Sequence, residues 1–418
     1  MNKADSERLG SALGQMGFVW ADDPRDAQVV VLNSCVVRQG AEDKVVSALG
    51  LFKSWKQGHP RGVLALMGCM VGPGQDNLAK RFPWVDLFMR PQEYRPLLAF
   101  LGERNGIDWE GCLGPLIPLK PTVTSFVPII HGCDLFCAFC IIPYRRGRQR
   151  SRPMDEVVSE VCHLAERGVK EVTVLGQTVD AYGYDLPDRP TLGRLLEELD
   201  EIEGLARIRF LTSHPNFLTE DIIEAVARCE KVCEHINLPF QAGDDRVLQA
   251  MRRGYTRDDY RKLVHRIRQA VPDVALSTDV VAGFCGETEE QFQKTVDLLE
   301  ELRFDKVHIA AYSPRPGTIA WRQMRDDVPQ EEKESRLRYL EQRQAAIAAQ
   351  LNISYEGTTV EVLVDGQERG KWRGRTRTDK LVFFPDGGRN WLGELVQVRI
   401  AKTSPWALQG EIAGGGGV

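Results

Sequence analysis

The sequence predicts an α/β protein with three parts: a small doubly wound N-terminal domain, a partial (β/α)6 barrel and a C-terminal all-β barrel. Residues 1–102 alternate helix and strand patterns, and residues 122–328 repeat a strand–helix unit. Residues 356–413 instead alternate apolar and polar side chains, with glycines at short intervals. A chain of 418 residues is also longer than one hydrophobic core normally serves, which supports division into several domains.

Composition and charge exclude several classes of protein. The chain is 43% hydrophobic and 27% charged with a net charge of −5, which excludes a polycation that binds nucleic acid over its whole surface. No apolar signal core follows Met1 and no apolar run is long enough to cross a bilayer, so we expect a cytoplasmic protein without membrane contact. Ten cysteines in such a chain favour metal or redox chemistry and buried thiols over disulfides.

The N-terminal domain places two cysteines at equivalent strand ends. A helix capped by Asp5 or Ser6 and a second helix flank three predicted strands; the second helix is Ala41–Lys56, and the strands are Ala27–Asn33, Val63–Met67 and Val85–Met89. Cys35 follows the first strand and Cys69 follows the second. Because parallel strands end at one edge of a sheet, these cysteines are predicted to face a common point. The alternative is two buried core thiols.

After a Gly- and Pro-containing linker over 103–121, six predicted strands alternate with helices. The strands are Phe126–Ile130, Val172–Leu175, Arg207–Leu211, His235–Leu238, Ala275–Val281 and Lys306–Tyr312. The helices are Met154–Arg167, Leu192–Leu199, Glu220–Arg228, Arg257–Ala270 and Glu289–Leu302. Six units fit an open barrel, in which the carboxyl ends of the strands carry the chemistry. Glycine-containing loops at those ends predict a ligand-binding site at that end of the barrel.

The loop after the first of these strands carries three cysteines, Cys133, Cys137 and Cys140, in the spacing C-x3-C-x2-C. Three thiolates can hold one face of an iron–sulfur cube and leave the fourth iron open to a ligand. The aromatic residue Phe139 is placed to shield such a cluster from water. The alternative is a structural zinc site, but no second cysteine or histidine pair follows at a suitable distance to complete it.

Two basic segments are candidate nucleic-acid contacts. The first follows the cysteine loop and contains Arg145, Arg146, Arg148, Arg150 and Arg152 without an acid, so we expect it to attract a polyanion; ion pairs with acidic helices are the alternative. The second lies in the all-β domain and contains Lys371, Trp372, Arg373, Arg375 and Arg377. Cations and an aromatic on a small barrel suit RNA, and a solvated basic hairpin is the alternative. A charged connecting helix over 329–355 is predicted to be solvated, and 414–418 to be a flexible tail.

Together these residues resemble the radical SAM (S-adenosylmethionine) methylthiotransferase family over essentially the whole chain. The motifs that carry the resemblance are Asn33-Ser34-Cys35-Val36-Val37-Arg38, Gly68-Cys69-Met70, the cysteine loop, Ser151-Arg152-Pro153, Leu175-Gly176-Gln177, Ser277-Thr278-Asp279, Gly286-Glu287-Thr288-Glu289 and Tyr312-Ser313-Pro314-Arg315-Pro316-Gly317-Thr318. The last motif and Gly374-Arg375-Thr376-Arg377-Thr378 are most similar to the MiaB branch, which acts on the dimethylallyl adenosine beside the tRNA anticodon. The resemblance implies an N-terminal methylthiotransferase domain, a radical SAM core and a TRAM domain.

The resemblance also implies two 4Fe-4S clusters and S-adenosylmethionine. The cluster on Cys133, Cys137 and Cys140 would bind SAM at its open iron, and one electron would cleave SAM to a radical that takes hydrogen from carbon 2 of the adenine. Cys35 and Cys69 would hold the second cluster, which delivers sulfur, and a second SAM would supply the methyl group. The residues expected to contact SAM are Gly176, Gln241, Asp279 and Gly283. The implied partners are a tRNA anticodon loop, an electron donor such as flavodoxin or ferredoxin, and a sulfur donor. We expect the protein itself to be a monomer.

The sequence departs from the family at its start. The family holds the second cluster with three cysteines, and the first of them would fall two positions before Met1. The hypothesis is that Met1 is an internal methionine and that the protein begins about ten or more residues earlier. Otherwise the chain is an RNA-binding iron–sulfur protein without turnover. Cys112 substitutes for the missing ligand only if the linker folds back. The other substrates left open are threonylcarbamoyl-adenosine in tRNA and an aspartate of a ribosomal protein.

Overall fold

The computed structural model describes residues 1–36, 39–72, 76–113, 118, 121–385 and 387–413. The chain forms two compact units. The first unit comprises Met1–Pro121, His131–Arg150 and Arg315–Thr318, and the second comprises Thr122–Ile130, Ser151–Pro314 and Ile319–Val418. The cysteine loop therefore groups with the N-terminal residues, and the C-terminal barrel groups with the strand–helix repeats. The predicted tail over 414–418, most of the predicted linker beyond Leu113, and the motif residues Val37 and Arg38 lie outside the described residues.

The first unit contains a three-stranded parallel sheet in the order β1-β2-β3 with helices on both faces. Its elements are α1 (Asn2–Gln15), β1 (Val29–Ser34), α2 (Gln39–Gly58), β2 (Val63–Gly68), α3 (Asp76–Arg81), β3 (Leu87–Met89), α4 (Arg95–Asn105) and α5 (Ile142–Arg146), with short 3-10 helices at Pro24–Asp26 and Glu110–Leu113. Along β2, Val63 and Ala65 pack with α1 and α4, whereas Leu64 and Leu66 pack with α2. This two-sided burial confirms the doubly wound prediction.

The strand–helix repeats of the second unit form two three-stranded parallel sheets, in the orders β4-β7-β8 and β11-β10-β9. The strands are β4 (Thr124–Pro128), β7 (Glu171–Leu175), β8 (Arg207–Leu211), β9 (His235–Asn237), β10 (Ala275–Ala282) and β11 (Lys306–Ala311). Two short strands, β5 (Ile130–His131) and β6 (Arg150–Ser151), flank the cysteine loop in the sequence. The predicted open barrel is confirmed, and each predicted strand is present within a few residues of its predicted bounds.

Helices follow these strands in the second unit. They are α6 (Met154–Glu166), α7 (Leu192–Asp200), α8 (Glu220–Arg228), α9 (Asp245–Ala250), α10 (Arg257–Ala270), α11 (Glu289–Leu302), α12 (Ile319–Gln323) and α13 (Gln330–Ile353). The longer of these helices have strong local signals. Thr256 and Thr288 form capping boxes with Asp259 and Gln291, which fixes the first residues of α10 and α11. The short helices α5, α9 and α12 were not predicted, because about one turn of helix leaves little periodicity in a sequence.

The C-terminal residues form a closed five-stranded barrel in the order β12-β13-β14-β16-β15. The strands are β12 (Thr359–Glu368), β13 (Lys371–Arg375), β14 (Leu381–Pro385), β15 (Leu395–Thr403) and β16 (Leu408–Ile412). Its core is formed by Val362, Val364, Trp372, Val382, Phe384, Val396, Val398, Ile400 and Leu408. The alternating pattern of the sequence corresponds to side chains that point in and out of this barrel, as predicted.

The prediction of a solvated connector was wrong for α13. Several of its polar side chains are buried, including Lys333, Arg336 and Gln344. Arg336 forms an ion pair with Glu287 at 3.0 Å, and Gln344 donates to the Phe304 carbonyl at 2.9 Å. Specific partners elsewhere in the chain therefore compensate charges and polar groups that looked solvent-facing in the sequence. In the described ranges, no helix combines the length and the apolar character that a membrane span requires.

Candidate metal and cofactor site

The structure brings Cys35 and Cys69 to adjacent strand ends. Ser34 and Gly68 are paired in the parallel register of β1 and β2, and each precedes a cysteine. The Cys69 amide donates to the Ser34 carbonyl at 3.0 Å. Gly68 has a φ of +103°, and a Cβ there would lie 2.5 Å from the Ser34 carbonyl oxygen. Glycine is therefore required for this close approach, which holds the two cysteines next to each other.

A buried arginine accompanies Cys69. The Arg146 guanidinium, at the end of α5, donates to Asn2 Oδ1 at 2.8 Å and to Asp5 Oδ2 at 3.1 Å. Burial raises the pKa of the Cys69 thiol, and the hydrogen bond and positive charge of Arg146 oppose that rise. Arg146 thus pairs with an acid of α1, which is the alternative that the sequence left open for the first basic segment. A cation in this position stabilises a thiolate, which is the form of cysteine that binds metal.

The cysteine loop is a tight, largely buried turn. Cys133 and Cys137 are buried and Cys140 is half-exposed, with the Cys140 amide donating to the Cys137 carbonyl at 2.9 Å. Gly132 has a φ of +66°, and a Cβ there would lie 2.1 Å from the Arg148 carbonyl oxygen. The loop backbone therefore depends on glycine at this position. Thiolates in an apolar, water-shielded loop fit the requirements of an iron–sulfur cluster.

The two cysteine sets have the donor chemistry of clusters rather than of a single metal ion. Among the described side chains, no group of three His, Cys, Asp or Glu residues converges on one point. Each cysteine ligand of a cubane binds a different iron, so cluster ligands need not converge in that way. The residues present fit two iron–sulfur groups, one on Cys133, Cys137 and Cys140 and one that Cys35 and Cys69 would hold in part.

Three of the predicted SAM contacts, Gly176, Gln241 and Gly283, follow the carboxyl ends of β7, β9 and β10 in the second unit, and Asp279 lies within β10. Gly176 follows β7, and a Cβ there would lie 2.1 Å from Ile130 Cγ2. Gln241 has a φ of 67°, and its amide donates to the Asp279 carbonyl at 2.9 Å. The Gly283 amide donates to Glu287 Oε2 at 2.7 Å, and a Cβ at Gly283 would lie 2.4 Å from Lys333 Cγ. Packing against α13 thus accounts for this glycine, and SAM contact by the four residues stays a prediction.

Sequence reasoning missed a polar group beside the same strand ends. Thr212, after β8, has a φ of 70°, which is strained for a β-branched residue, and its hydroxyl donates to the Gly176 carbonyl at 2.7 Å. The His214 amide donates to Asp180 Oδ2 at 2.6 Å. Burial raises the pKa of Asp180 to about 8 and lowers the pKa of His214 to about 2, so both side chains are neutral at pH 7. The segment Thr212-Ser213-His214-Pro215, directly after a predicted strand, was the available signal.

The predicted RNA contacts differ in their surroundings. In the first segment, Arg148 pairs with Asp134 at 2.9 Å, Arg145 packs against Gly72, and Arg150 is exposed. In the second segment, Lys371 is exposed, whereas Trp372 belongs to the core of the barrel. The remaining cations of that segment are paired with acids: Arg373 with Asp365 and Glu368, Arg375 with Asp379, and Arg377 with Glu234. RNA contact stays a prediction for all of these residues.

Comparisons with known proteins match every part of the chain. Family models match residues 127–299 as the Radical SAM superfamily, residues 1–90 as Uncharacterized protein family UPF0004 and residues 354–413 as a TRAM domain. Three curated relatives are each named tRNA-2-methylthio-N(6)-dimethylallyladenosine synthase. The protein of Roseiflexus sp. (strain RS-1) is 49% identical over 99% of this chain and 87% of its own length. Those of Dehalococcoides mccartyi (strain CBDB1) and Chloroflexus aurantiacus are 46% and 48% identical over 99% and 98% of this chain, and 96% and 89% of their own lengths.

A solved structure supports the fold. The radical S-adenosylmethionine methyltransferase TsrM from Kitasatospora setae, with cobalamin and a [4Fe-4S] cluster bound, matches with a TM-score of 0.56. The match covers 77% of this chain and 74% of that chain at 16% identity, so it shows the fold alone.

These matches and the cysteine loop define the chain as a radical SAM enzyme with a C-terminal TRAM domain. Within that class it belongs to the MiaB-like methylthiotransferase family, because the curated relatives are far more than 30% identical over almost its whole length. The family uses S-adenosylmethionine and 4Fe-4S clusters, in agreement with the cofactors predicted from the sequence.

Proposed function

We propose that this enzyme methylthiolates carbon 2 of N6-dimethylallyladenosine beside the anticodon of tRNA. The observation that carries the proposal is the 49% identity, over 99% of this chain, to a relative named for that product. The two cysteine sets support it, because methylthiolation needs one site that starts radical chemistry and another that supplies sulfur. A TRAM domain fits an RNA substrate better than a ribosomal protein.

When bound, SAM and the two clusters supply the electron, the radical that removes hydrogen from carbon 2, the sulfur and the methyl group. The residues of this chain hold and shield those groups. Cys133, Cys137 and Cys140 would bind the first cluster, and Cys35 and Cys69 the second. The close packing around Gly132 fixes the loop that carries the first set, and burial of that loop excludes water that would quench radical chemistry.

Two partners and a location complete the proposal. Reduction of the first cluster requires a small electron carrier such as flavodoxin or ferredoxin. Because each turnover takes sulfur from the second cluster, a sulfur donor is required to replace that sulfur. The tRNA presents its adenosine out of the stacked anticodon loop, since a carbon within a base stack is inaccessible to an active site. We place the reaction in the cytoplasm, where tRNA is modified.

The test is mass spectrometry of nucleosides from a strain that lacks the gene. The proposal predicts that 2-methylthio-N6-dimethylallyladenosine disappears, that N6-dimethylallyladenosine accumulates, and that the wild-type gene restores the product. The Cys137→Ala gene should not restore it, whereas the control Cys162→Ala, which changes a cysteine of α6, should. Loss of methylthiolated threonylcarbamoyl-adenosine, or of a methylthiolated aspartate in a ribosomal protein, with this nucleoside unchanged would assign another substrate.

A further inference from the structure

We propose that Arg377 and its neighbours anchor the C-terminal barrel to the amino ends of the strands in the second unit, so that Arg377 is a positioning residue rather than an RNA ligand. These contacts are part of the fold and do not depend on any function. The further statement, that they set the orientation in which the TRAM barrel meets tRNA, rests on the proposed function. Three sets of contacts carry the inference.

The first set shows that the Arg377 guanidinium is engaged on each of its nitrogens. Its Nε donates to Glu234 Oε2 at 2.8 Å, and its Nη2 donates to Glu234 Oε1 at 2.6 Å. Its Nη1 donates to the Glu230 carbonyl at 2.8 Å, and Nη2 also to the Val232 carbonyl at 2.7 Å. A paired, bidentate guanidinium of this kind has little capacity left for a phosphate.

In the second set of contacts, the donors are side chains of the strand–helix repeats and the acceptors belong to the C-terminal barrel. Arg207, whose side chain is 1% exposed, donates to the Arg375 carbonyl at 2.6 Å and to Glu361 Oε1 at 2.8 Å. Arg209, two residues further along β8, donates to the Thr376 and Arg377 carbonyls at 2.7 Å each. Its charge is balanced by buried Glu171 at 2.9 Å. Side chains two residues apart on a strand point to the same face of the sheet. Arg207 and Arg209 can therefore bind three consecutive backbone carbonyls, those of residues 375–377.

The third set adds an ion pair and a link through α13. Lys380 pairs with Asp305 at 2.7 Å, and its side chain is only 9% exposed. Asn352, near the end of α13, donates to the Ser404 carbonyl at 2.7 Å. The barrel is therefore held by charged and polar contacts from several separate elements, and removal of one partner leaves a partly buried charge uncompensated.

The position of these contacts separates them from the predicted SAM residues. Glu171 and Arg207 begin β7 and β8, while Glu234 and Asp305 directly precede β9 and β11. They lie at the amino ends of the strands, whereas Gly176 and Gln241 follow the carboxyl ends. A cluster of arginines at the amino ends is thus explained by attachment of the barrel, without a ligand.

Hydrogen exchange on the purified full-length protein tests the anchor without any assay of activity. Arg377→Ala should accelerate exchange of backbone amides over 230–234 and 376–380 by about tenfold or more, because the contacts that hold the segments together are lost. A charge swap, Arg377→Glu with Glu234→Arg, should recover much of the protection. The matched control is Lys371→Ala, which removes an exposed cation of the same barrel and should leave exchange in both segments unchanged.

Binding of unmodified tRNA, measured at several salt concentrations, tests the alternative that Arg377 binds a phosphate of the RNA. The proposal predicts that Arg377→Ala leaves the slope of log affinity against log salt unchanged. A slope reduced by about 1 in Arg377→Ala, with normal exchange over 230–234 in the same variant, would make Arg377 a phosphate ligand and overturn the anchor. If Arg377→Ala does not fold, Glu234→Gln replaces it in the exchange experiment. Faster exchange then supports the anchor and unchanged exchange overturns it.

Discussion

Arg146 is the residue that most directly connects two motifs of the first unit. Its guanidinium side chain is 3% exposed, and it contacts the equally buried Asp5 as well as Cys69, the candidate ligand of the second cluster. A polyanion would have to displace Asp5 to reach it. We infer that Arg146 positions Cys69 and balances the charge of its thiolate, while the neighbouring Arg148 and Arg150 keep their guanidinium groups near solvent.

Replacement of Arg146 by methionine tests this assignment. Arg146→Met should lower the free energy of unfolding by about 3–5 kcal/mol, because Asp5 is left buried without its partner. The same variant should contain less iron after anaerobic reconstitution. Arg148→Met, which changes a side chain that is 73% exposed, is the control and should change the free energy of unfolding by less than about 1 kcal/mol. Equal effects of the two variants in urea unfolding would refute the assignment.

Asp180 predicts a pH dependence of stability. Burial raises the pKa of its carboxyl from 3.8 to about 8 in the folded protein, so the native state holds a proton that the unfolded state loses near pH 4. The stabilising contribution of this group is complete below pH 3.8 and is lost as the pH rises to about 8. Between pH 5 and pH 9 the contribution of Asp180 to the free energy of unfolding should therefore fall.

Asp180→Asn isolates that contribution, because asparagine is neutral at both pH values and retains an oxygen for the His214 amide. In urea unfolding, the fall between pH 5 and pH 9 should be smaller in this variant than in the wild type by an amount on the order of a few kcal/mol. Asp273→Asn, at an exposed site, should show the wild-type fall. An unchanged fall in Asp180→Asn would mean that the carboxyl is already ionised in the folded protein.

At the scale of elements, the sequence predicted well those structures whose determinants are local. The capping boxes at Thr256 and Thr288 fixed the start of α10 and α11, and alternating residues indicated a C-terminal all-β barrel over 356–413. The cysteine loop was equally accessible, because its three thiols lie within eight residues of chain, from Cys133 to Cys140. The meeting of Cys35 and Cys69 followed from the rule that parallel strands end at one edge.

Contacts between distant residues were not predictable in this way. Glu234 and Arg377 are 143 positions apart, and Arg207 and the Arg375 carbonyl that it binds are 168 apart, so no pattern in either segment indicated these contacts. The sequence of the second basic segment therefore indicated only an RNA contact or a solvated hairpin, and not its ion pairs with distant acids. For the same reason α13 looked solvated, since the carboxylate that receives Arg336 belongs to the distant Glu287.

The cysteine loop also predicts the effect of a single methyl group. Gly132→Ala should reduce the iron bound after reconstitution several-fold, because a Cβ would lie 2.1 Å from the Arg148 carbonyl oxygen and the loop would have to shift. Gly106→Ala is the matched control: Gly106 has the same φ of +66°, but no atom lies within 4 Å of the added Cβ. Normal iron content in Gly132→Ala would show that the loop tolerates the shift.

At the scale of the whole molecule, the two compact units divide the chemistry-bearing residues. The first unit contains both cysteine sets, together with Arg315 of the Ser-Pro-Arg-Pro-Gly-Thr motif, which pairs with Glu42 at 3.6 Å. The second unit contains the predicted SAM contacts and the anchored TRAM barrel. Sequence periodicity placed the cysteine loop with the strands that follow it, whereas packing groups it with the N-terminal sheet. The curated relative from Roseiflexus matches 99% of the chain, so the family assignment covers the residues of both units.

We propose that Cys133, Cys137 and Cys140 hold a cluster that cleaves SAM. The direct measurement is formation of 5′-deoxyadenosine by anaerobically reconstituted protein with SAM and dithionite. The wild type and Cys162→Ala should form it, and protein with Cys133, Cys137 and Cys140 all replaced by alanine should form none. Formation of 5′-deoxyadenosine by the triple variant, or isolation of a colourless wild type that binds zinc in place of iron, would contradict the account.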